Sequence, residues 1–350
     1  MIKLSLHNLP VNQKLARNIY DQEGQLLLAK GILLEPRYVQ QLLKKGLEEV
    51  FLWDEMPAEQ LAQFESRAER RKAELPPAIS SAVDAFREFM HTLSQGHAIT
   101  INQVEETVDL ILPEIISSNN ILRQMKLLRQ KDEYTMKHSV SVSVIAVKLG
   151  ESMGLKEKAL RNLAKAGLLH DIGKARVPME LINKPAQLTN QEFRVVQQHP
   201  LHGFKIAQEM RLTDLEVFTA ILQHHEKFDG SGYPFHVLGR KLHIFSRIIA
   251  VADVFDALTS DRPYRKAMPL LNALDEVVNN SNGHLDPAIA RRLAAYVLNV
   301  IPGELVMLND GSTASIVIIN KDEPQRPMLR KGDRFINLQE ERDLHIIDLI

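Results

Sequence analysis

The sequence has no cysteine, almost no net charge and no long apolar run. Without cysteine, disulfides and thiolate metal sites are excluded, so any metal must be held by nitrogen and oxygen ligands. A formal net charge of -1 gives no electrostatic basis for binding duplex nucleic acid or an anionic membrane surface. No stretch approaches the ~18 apolar residues of a membrane span. We therefore expect a cytoplasmic protein with a small-molecule partner, no nucleic acid polymer and no membrane.

What is present is a composition typical of two or three folded domains, with 45% hydrophobic and 25% charged residues. Residues 1–53 alternate short extended runs with one amphipathic helix, which predicts a small α+β module. Residues 54–96 are rich in charged residues around Pro76-Pro77, which predicts a helical linker. Residues 97–301 show successive helical patterns, and residues 302–350 show β-type alternation.

The predicted fold class is therefore multidomain and mainly α. An all-α central domain is expected between a small α+β N-terminal module and a small β-rich C-terminal module. A homodimer contact or a signalling partner is expected to use the N-terminal module and the linker.

The central region carries histidine and aspartate on the apolar faces of its predicted helices. His138 aligns with Val142 and Leu149 at helical spacing, so its side chain should turn inward. The next apolar stripe ends at His170-Asp171, and Gly173 is expected to stop that helix. Two further helices are predicted to begin with capping boxes at Thr189 and Thr213. The remaining inward-facing candidates are His199, His224 with His225, and Asp253 with Asp256.

A single inward histidine is more often a hydrogen-bonded core residue than a metal ligand. Several such groups in one region need another account, because burying an unpartnered carboxylate costs several kcal/mol. Convergence on cations would satisfy all of them. A bridging aspartate with flanking histidines suits iron, manganese or zinc, whereas all-oxygen sites suit magnesium or calcium. Two metals about 4 Å apart can hold a hydroxide between them and stabilise the leaving oxygen when phosphorus is attacked.

In this order, the motifs resemble those of the HD-GYP phosphodiesterases, a group within the HD superfamily of metal-dependent phosphohydrolases. The resemblance covers about residues 97–301. Its motifs are His138-Ser139, His170-Asp171-Ile172-Gly173-Lys174, His199-Pro200 followed by Gly203, HHEKFDGSGYP at 224–234, and Asp253 through Asp261-Arg262-Pro263-Tyr264-Arg265. The resemblance implies an all-α domain that hydrolyses cyclic di-GMP, a bacterial second messenger, to linear pGpG and in some members onward to GMP.

The resemblance also implies a binuclear site with two divalent metal ions, expected to be iron or manganese. Asp171 would bridge the metals, and the bridging hydroxide would be the nucleophile. Lys174, about one turn beyond Asp171, would place its ammonium on a substrate phosphate oxygen. Tyr233, Arg262 and Arg265 would also contact substrate phosphate. The implied metal ligands are His138, His170, Asp171, His199, His224, His225 and Asp253.

One position departs from the family pattern. Members that bind a third metal have a glutamate four residues before the first ligand histidine, and this chain has Tyr134 there. A third metal is therefore not expected, and pGpG and GMP both stay open as the final product. Asp256 and Glu226 are further candidates to orient a ligand imidazole. Their spacing in the sequence does not decide whether either of them has this role.

Two alternative functions remain open at this stage. One is a catalytically silent module that binds a cyclic dinucleotide and a protein partner. The other is an HD-superfamily hydrolase of another nucleotide. The choice between cyclic di-GMP and other cyclic dinucleotides is also open.

Overall fold

The structure is a computed structural model that divides into two compact units, Met1–Ala73 and Glu74–Ile350. In the first unit it describes residues 2–5, 15, 19–20, 26–28, 38, 42 and 49–52. In the second unit it describes residues 76–118, 122, 125, 128, 134–184, 186–261, 266–279, 283–320, 323–332 and 334–350.

The described part of the first unit contains two antiparallel strand pairs. Strand β1 (Ile2–Ser5) pairs with β4 (Glu49–Leu52), and β2 (Ile19–Tyr20) pairs with β3 (Leu26–Leu28). Leu42 is helical and buried, one turn after the helical residue at position 38.

Most of the second unit is helical. Two short 3-10 helices cover Ile172–Arg176 and Gly239–Lys241. The α-helices are α1 (Pro77–Ser94), α2 (Ile101–Ser117), α3 (Tyr134–Ser152), α4 (Glu157–Leu169), α5 (Met179–Ile182), α6 (Asn190–Val196), α7 (His199–Glu209), α8 (Leu215–Gln223), α9 (Ile244–Thr259), α10 (Leu270–Asn279) and α11 (Pro287–Val300).

Helix α3 lies at the centre of this unit and packs against α4 and α9. The face predicted from the spacing of Val142 and Leu149 is buried. The close approach of α3 and α4 depends on Gly167, because a Cβ there would lie 2.5 Å from Ser143 Cα. Burial of each large apolar side chain in this core contributes about 1.5–3 kcal/mol. The packed core therefore holds α3, α4 and the side chains on their buried faces in fixed positions.

A five-stranded antiparallel sheet follows the helices, with strand order β8-β7-β6-β5-β9. Val306 and Leu308 are buried in the same apolar core as the helices, and Ala314 and Ile316 alternate with more exposed residues. The mainly helical fold and the small C-terminal β region are thus confirmed. The strands are β5 (Leu305–Leu308), β6 (Thr313–Ile318), β7 (Met328–Lys331), β8 (Arg334–Asn337) and β9 (Ile346–Leu349).

Of the two capping boxes predicted from the sequence, one is present and the other is not. The capping box at Thr189 is present, because its hydroxyl accepts from the Glu192 N–H and the Glu192 side chain accepts from the Thr189 N–H. The one predicted at Thr213 is wrong, because Asp214 occupies the N-cap and α8 begins one residue later than predicted. Among the residues that the structure describes, no helix has the length and apolarity needed to span a membrane.

Candidate metal centre

The carboxylate of Asp171 lies at the meeting point of four histidines. Asp171 lies two residues beyond the end of α4 and is only 3% exposed. One oxygen, Oδ2, lies 3.3 Å from His170 Nε2 and 3.8 Å from His138 Nε2. The other, Oδ1, lies 3.3 Å from His199 Nε2 and 3.6 Å from His224 Nε2. Each oxygen therefore faces its own pair of imidazoles, as in a carboxylate that bridges two cations.

The candidate ligand atoms form two groups, each with its atoms within 4.8 Å of one another, and Asp171 belongs to both. The other members are His199, His224 and His225 in the first group, and His138 and His170 in the second. Asp253 on α9 lies beside the second group, because its Oδ1 is 3.2 Å from His138 Nε2. The other six residues proposed as ligands from the sequence thus lie around the carboxylate of Asp171.

Backbone carbonyls set the tautomer of three of these histidines. The Nδ1 atoms of His170, His199 and His224 lie 2.8, 2.7 and 2.8 Å from the carbonyl three residues earlier in the chain. Because a carbonyl only accepts, each Nδ1 must carry the proton, and each Nε2 keeps a lone pair. All three lone pairs are thereby available to a metal.

Two of these lone pairs face each other. The Nε2 atoms of His199 and His224 are 3.1 Å apart, and neither has a proton to give in this tautomer. Burial lowers the pKa of His224 to about 4, so His224 does not supply a proton to this contact at neutral pH. A metal cation between them would resolve the repulsion.

Unsatisfied polar atoms provide a second test of fit for a metal. Among the residues that the structure describes, His170 Nε2 and Asp171 Oδ1 are buried without a hydrogen-bond partner. Each such atom costs about 1–3 kcal/mol unless something else satisfies it. Burial opposes ionisation of Asp171, but Lys174 and His170 hold its pKa well below the usual range. A charged carboxylate and imidazole nitrogens, with no sulfur ligand, fit borderline divalent metals.

His138 is oriented by a carboxylate on α9. Its Nδ1 lies 2.7 Å from Asp256 Oδ2, and the Ser141 hydroxyl donates to Asp256 Oδ1 at 2.5 Å. His138 Nε2 is consequently turned toward Asp171 and Asp253. Burial alone would lower the pKa of His138, but Asp253 and Asp256 raise it to about 9. Asp256 is therefore the residue that positions this imidazole, and Ser141 is a supporting contact that sequence reasoning missed.

Lys174 and Gly173 complete the turn after Asp171. Lys174 Nζ donates to Asp171 Oδ2 at 2.5 Å, and 28% of its side chain remains exposed. Gly173 does not stop α4, which ends at Leu169. Its role is close packing, because a Cβ at Gly173 would lie 1.9 Å from the carbonyl oxygen of His199. The glycine thus lets the turn that carries Asp171 rest against the start of α7.

Tyr233 covers the partly exposed side of the centre. Its ring lies 4.9 Å from the ring of His225 at an interplanar angle of 30°. Its N–H donates to the His225 carbonyl at 3.2 Å. Burial, together with the nearby charges of Asp171 and Asp253, raises the pKa of Tyr233 well above its ordinary value. The phenol therefore stays protonated and can donate a hydrogen bond.

Glu226 holds the loop that carries Tyr233. It was a candidate to orient an imidazole, but its two carboxylate oxygens accept from the N–H groups of Phe235 at 2.6 Å and Val237 at 3.0 Å. Gly232 packs on the same residue, because a Cβ there would lie 2.5 Å from Glu226 Cα. The buried carboxylate therefore holds the residues that follow the GYP turn, while Gly232 at the start of the turn packs against the Glu226 backbone. Arg262 and Arg265, predicted to contact phosphate, lie outside the described residues.

Residues 123–289 match the HD domain family. The match falls within the segment whose motifs carry the family resemblance, and the predicted resemblance is thereby confirmed.

Three relatives of this chain are named as phosphodiesterases of cyclic dinucleotides. Cyclic di-GMP phosphodiesterase PA4108 of Pseudomonas aeruginosa is 36% identical over 232 residues, covering 66% of this chain and 55% of the relative. The 3'3'-cGAMP-specific phosphodiesterase 3 of Vibrio cholerae is 36% identical over 191 residues, covering 53% of this chain and 40% of the relative. The cyclic di-GMP phosphodiesterase response regulator RpfG of Xanthomonas campestris is 33% identical over 197 residues, covering 56% and 50%. The chain thus spans about half the length of these curated relatives.

A solved structure shares the fold. Bd1817, described as an HDG"Y"P protein from Bdellovibrio bacteriovorus, aligns with a TM-score of 0.51 at 17% identity. The alignment covers 85% of this chain and 99% of that chain. At this identity the likeness concerns the fold alone.

Proposed function

We propose that this chain is a metal-dependent phosphodiesterase that hydrolyses cyclic di-GMP to linear pGpG. The observation that carries the proposal is the position of Asp171, whose two oxygens face two separate pairs of imidazoles. Relatives at 36% and 33% identity that are named cyclic di-GMP phosphodiesterases support the choice of substrate.

Two divalent ions, iron or manganese, would be held around Asp171. When bound, they would supply an activated water at neutral pH and stabilise charge on the leaving oxygen. Tyr134, whose side chain lies outside the described residues, replaces the glutamate expected for a third ion. The proposed ligands are His138, His170, Asp171, His199, His224, His225 and Asp253.

The remaining site residues would bind and orient the phosphate. The ammonium of Lys174 reaches from the buried carboxylate to solvent, so it can pair with a phosphate oxygen of the incoming substrate. The protonated phenol of Tyr233 would donate to another phosphate oxygen. Arg262 and Arg265 would add paired contacts through their planar guanidinium groups.

A second candidate substrate is 3'3'-cGAMP. A relative named as specific for it is as similar in identity as PA4108, at 36%. Both molecules are cyclic dinucleotides with two phosphodiester bonds, so the same centre could cleave either. Hydrolysis of pGpG onward to GMP is an additional open step.

We further propose how the flanking segments are organised. Residues 1–53 would form a small α+β module, and residues 54–96 a helical linker. Residues 97–301 would form the HD-GYP domain, and residues 302–350 the β-rich C-terminal module. A homodimer or a signalling partner would use the N-terminal module and the linker.

The test begins with anaerobic purification and elemental analysis of the full chain. The protein is then incubated with cyclic di-GMP, 3'3'-cGAMP or mononucleotides, and the products are separated by chromatography. About two metal ions per chain and formation of pGpG are expected. Asp171→Ala should abolish turnover, whereas Glu88→Ala, which removes an exposed carboxylate on α1, should have no effect.

Undiminished hydrolysis by a folded Asp171→Ala protein would refute the assignment. Bound metal without turnover would favour a cyclic dinucleotide receptor. Turnover of a mononucleotide in preference to both cyclic dinucleotides would indicate a different HD-superfamily hydrolase. Circular dichroism of each variant controls for loss of fold.

A further inference from the structure

A row of aromatic rings leads from the metal centre to the protein surface. His225 belongs to one ligand group, and the ring of Tyr233 lies 4.9 Å from it. The ring of Phe193 lies 6.3 Å from that of Tyr233, edge-on at 82°. Exposure rises along the row, from partly buried His225 and Tyr233 to Phe193, which is 45% exposed. Phe193 thus adds an open aromatic surface beside the tyrosine proposed to contact phosphate.

The helix that carries Phe193 is tied to the metal centre. At the start of α6, the Glu192 carboxylate accepts from the Thr189 N–H at 2.7 Å and from Lys184 Nζ at 2.7 and 2.8 Å. At its end, the carbonyl of Val196 accepts from His199 Nδ1 at 2.7 Å. One end of this short helix therefore orients a candidate ligand, and the other is held by a capping box and an ion pair. The Phe193 ring is consequently presented from a fixed backbone.

The chemistry of this surface matches a nucleobase. Bases stack on exposed aromatic rings with little dependence on their identity, because every base has a π face. In a cyclic dinucleotide, each base is joined through its ribose to a phosphate. A phosphate held at the centre would therefore place its base near the rings that surround the entrance.

We propose that Phe193 forms a nucleobase subsite, on which one purine of the cyclic dinucleotide stacks while Tyr233 contacts the adjacent phosphate. The inference rests on the proposed function for its substrate class. It predicts that Phe193 contributes to binding of substrate and transition state alike, so its removal should raise KM and leave kcat nearly unchanged.

The test compares Phe193→Leu, which keeps apolar bulk without a π face, with Phe193→Trp, which keeps stacking. Val195→Ala is the matched control, because Val195 is an exposed apolar residue on the same helix. Phe193→Leu should raise the KM for cyclic di-GMP about tenfold, while Phe193→Trp should stay near wild type. The inhibition constant of inorganic phosphate, which has no base, should not change in either variant.

Three results would overturn the inference. These are a KM change below twofold in Phe193→Leu, an equal change in Val195→Ala, or a parallel change in the inhibition constant of phosphate. Failure of the proposed function gives a different pattern. If the wild-type protein binds cyclic di-GMP without hydrolysing it, calorimetric Kd values replace KM in the same comparison and still decide the role of Phe193. If it binds no cyclic dinucleotide, both proposals fall.

Discussion

Replacing Asp256 by alanine should weaken metal binding although no proposed ligand is replaced. Asp256 lies on α9 and is 1% exposed, and its two oxygens contact His138 Nδ1 and the Ser141 hydroxyl. In Asp256→Ala, His138 loses the contact that turns its Nε2 toward Asp171 and Asp253. The imidazole can then rotate or change tautomer, and the second ligand group loses a correctly placed donor.

The size of the effect follows from the lost contact. Removing a carboxylate that orients a metal-binding histidine typically costs 10–100-fold in metal affinity, which corresponds to about 1.4–2.7 kcal/mol. The buried groups that lose this acceptor should lower the free energy of unfolding of the metal-free protein by about 1–3 kcal/mol. Asp256→Asn keeps a carbonyl oxygen that can accept from His138 Nδ1, so its loss of affinity should be smaller.

The assay is competition for Mn²⁺ between the protein and a fluorescent chelator, with elemental analysis of the purified variants. Ser141→Ala is the matched control, because it removes a contact of Asp256 while the His138 contact remains. We expect affinity to fall in the order wild type, Ser141→Ala, Asp256→Asn, Asp256→Ala. Wild-type affinity at both sites in a folded Asp256→Ala protein would show that Asp256 does not position His138.

Three other predictions follow from the same centre. Lys174→Ala should lower kcat at least about tenfold with unchanged metal content; loss of metal instead would mean that Lys174 supports the ligands. Glu226→Gln should lower the free energy of unfolding by about 1–3 kcal/mol in urea titrations, because one backbone N–H then faces an amide NH₂; an unchanged midpoint would contradict this role. Because His138 has a pKa of about 9 in the metal-free protein, metal binding at pH 7 should release about one proton from it. The raised pKa of His138 stabilises the metal-free fold, and this stabilisation is fully present at pH values below 6.5, the ordinary pKa of histidine. The stabilisation is lost as the pH rises through about 9, while metal affinity increases. Calorimetry in buffers of different protonation enthalpy measures the proton, and finding none would refute the prediction.

Helical spacing predicted which side chains turn inward, because the period of an α-helix fixes which residues share a face. His138 and Asp253 were found in this way, and the adjacent pair His170-Asp171 stood at the end of an apolar stripe. The contact between His138 and Asp256 could not be predicted from spacing, because it joins residues 118 positions apart. It depends on how α3 packs against α9.

The same limit applies to the turns. Gly173 looks like a helix stop in the sequence, but the carbonyl of His199 on a different helix is what excludes a side chain there. Glu226 sits beside two candidate ligands, yet its partners are backbone N–H groups 9 and 11 residues further along. Loop backbone has no periodicity from which such partners could be predicted.

The carbonyls that orient the histidines have a consequence for how this site could change in evolution. His170 and His224 occupy the C-caps of α4 and α8, and His199 bonds to the last residue of α6. Each imidazole therefore also donates to a carbonyl near a helix end that would otherwise lack a donor within the helix. A mutation that removes one of these histidines would fray a helix as well as disable the centre. A descendant that gave up hydrolysis would be expected to keep its histidines and to lose Lys174 first.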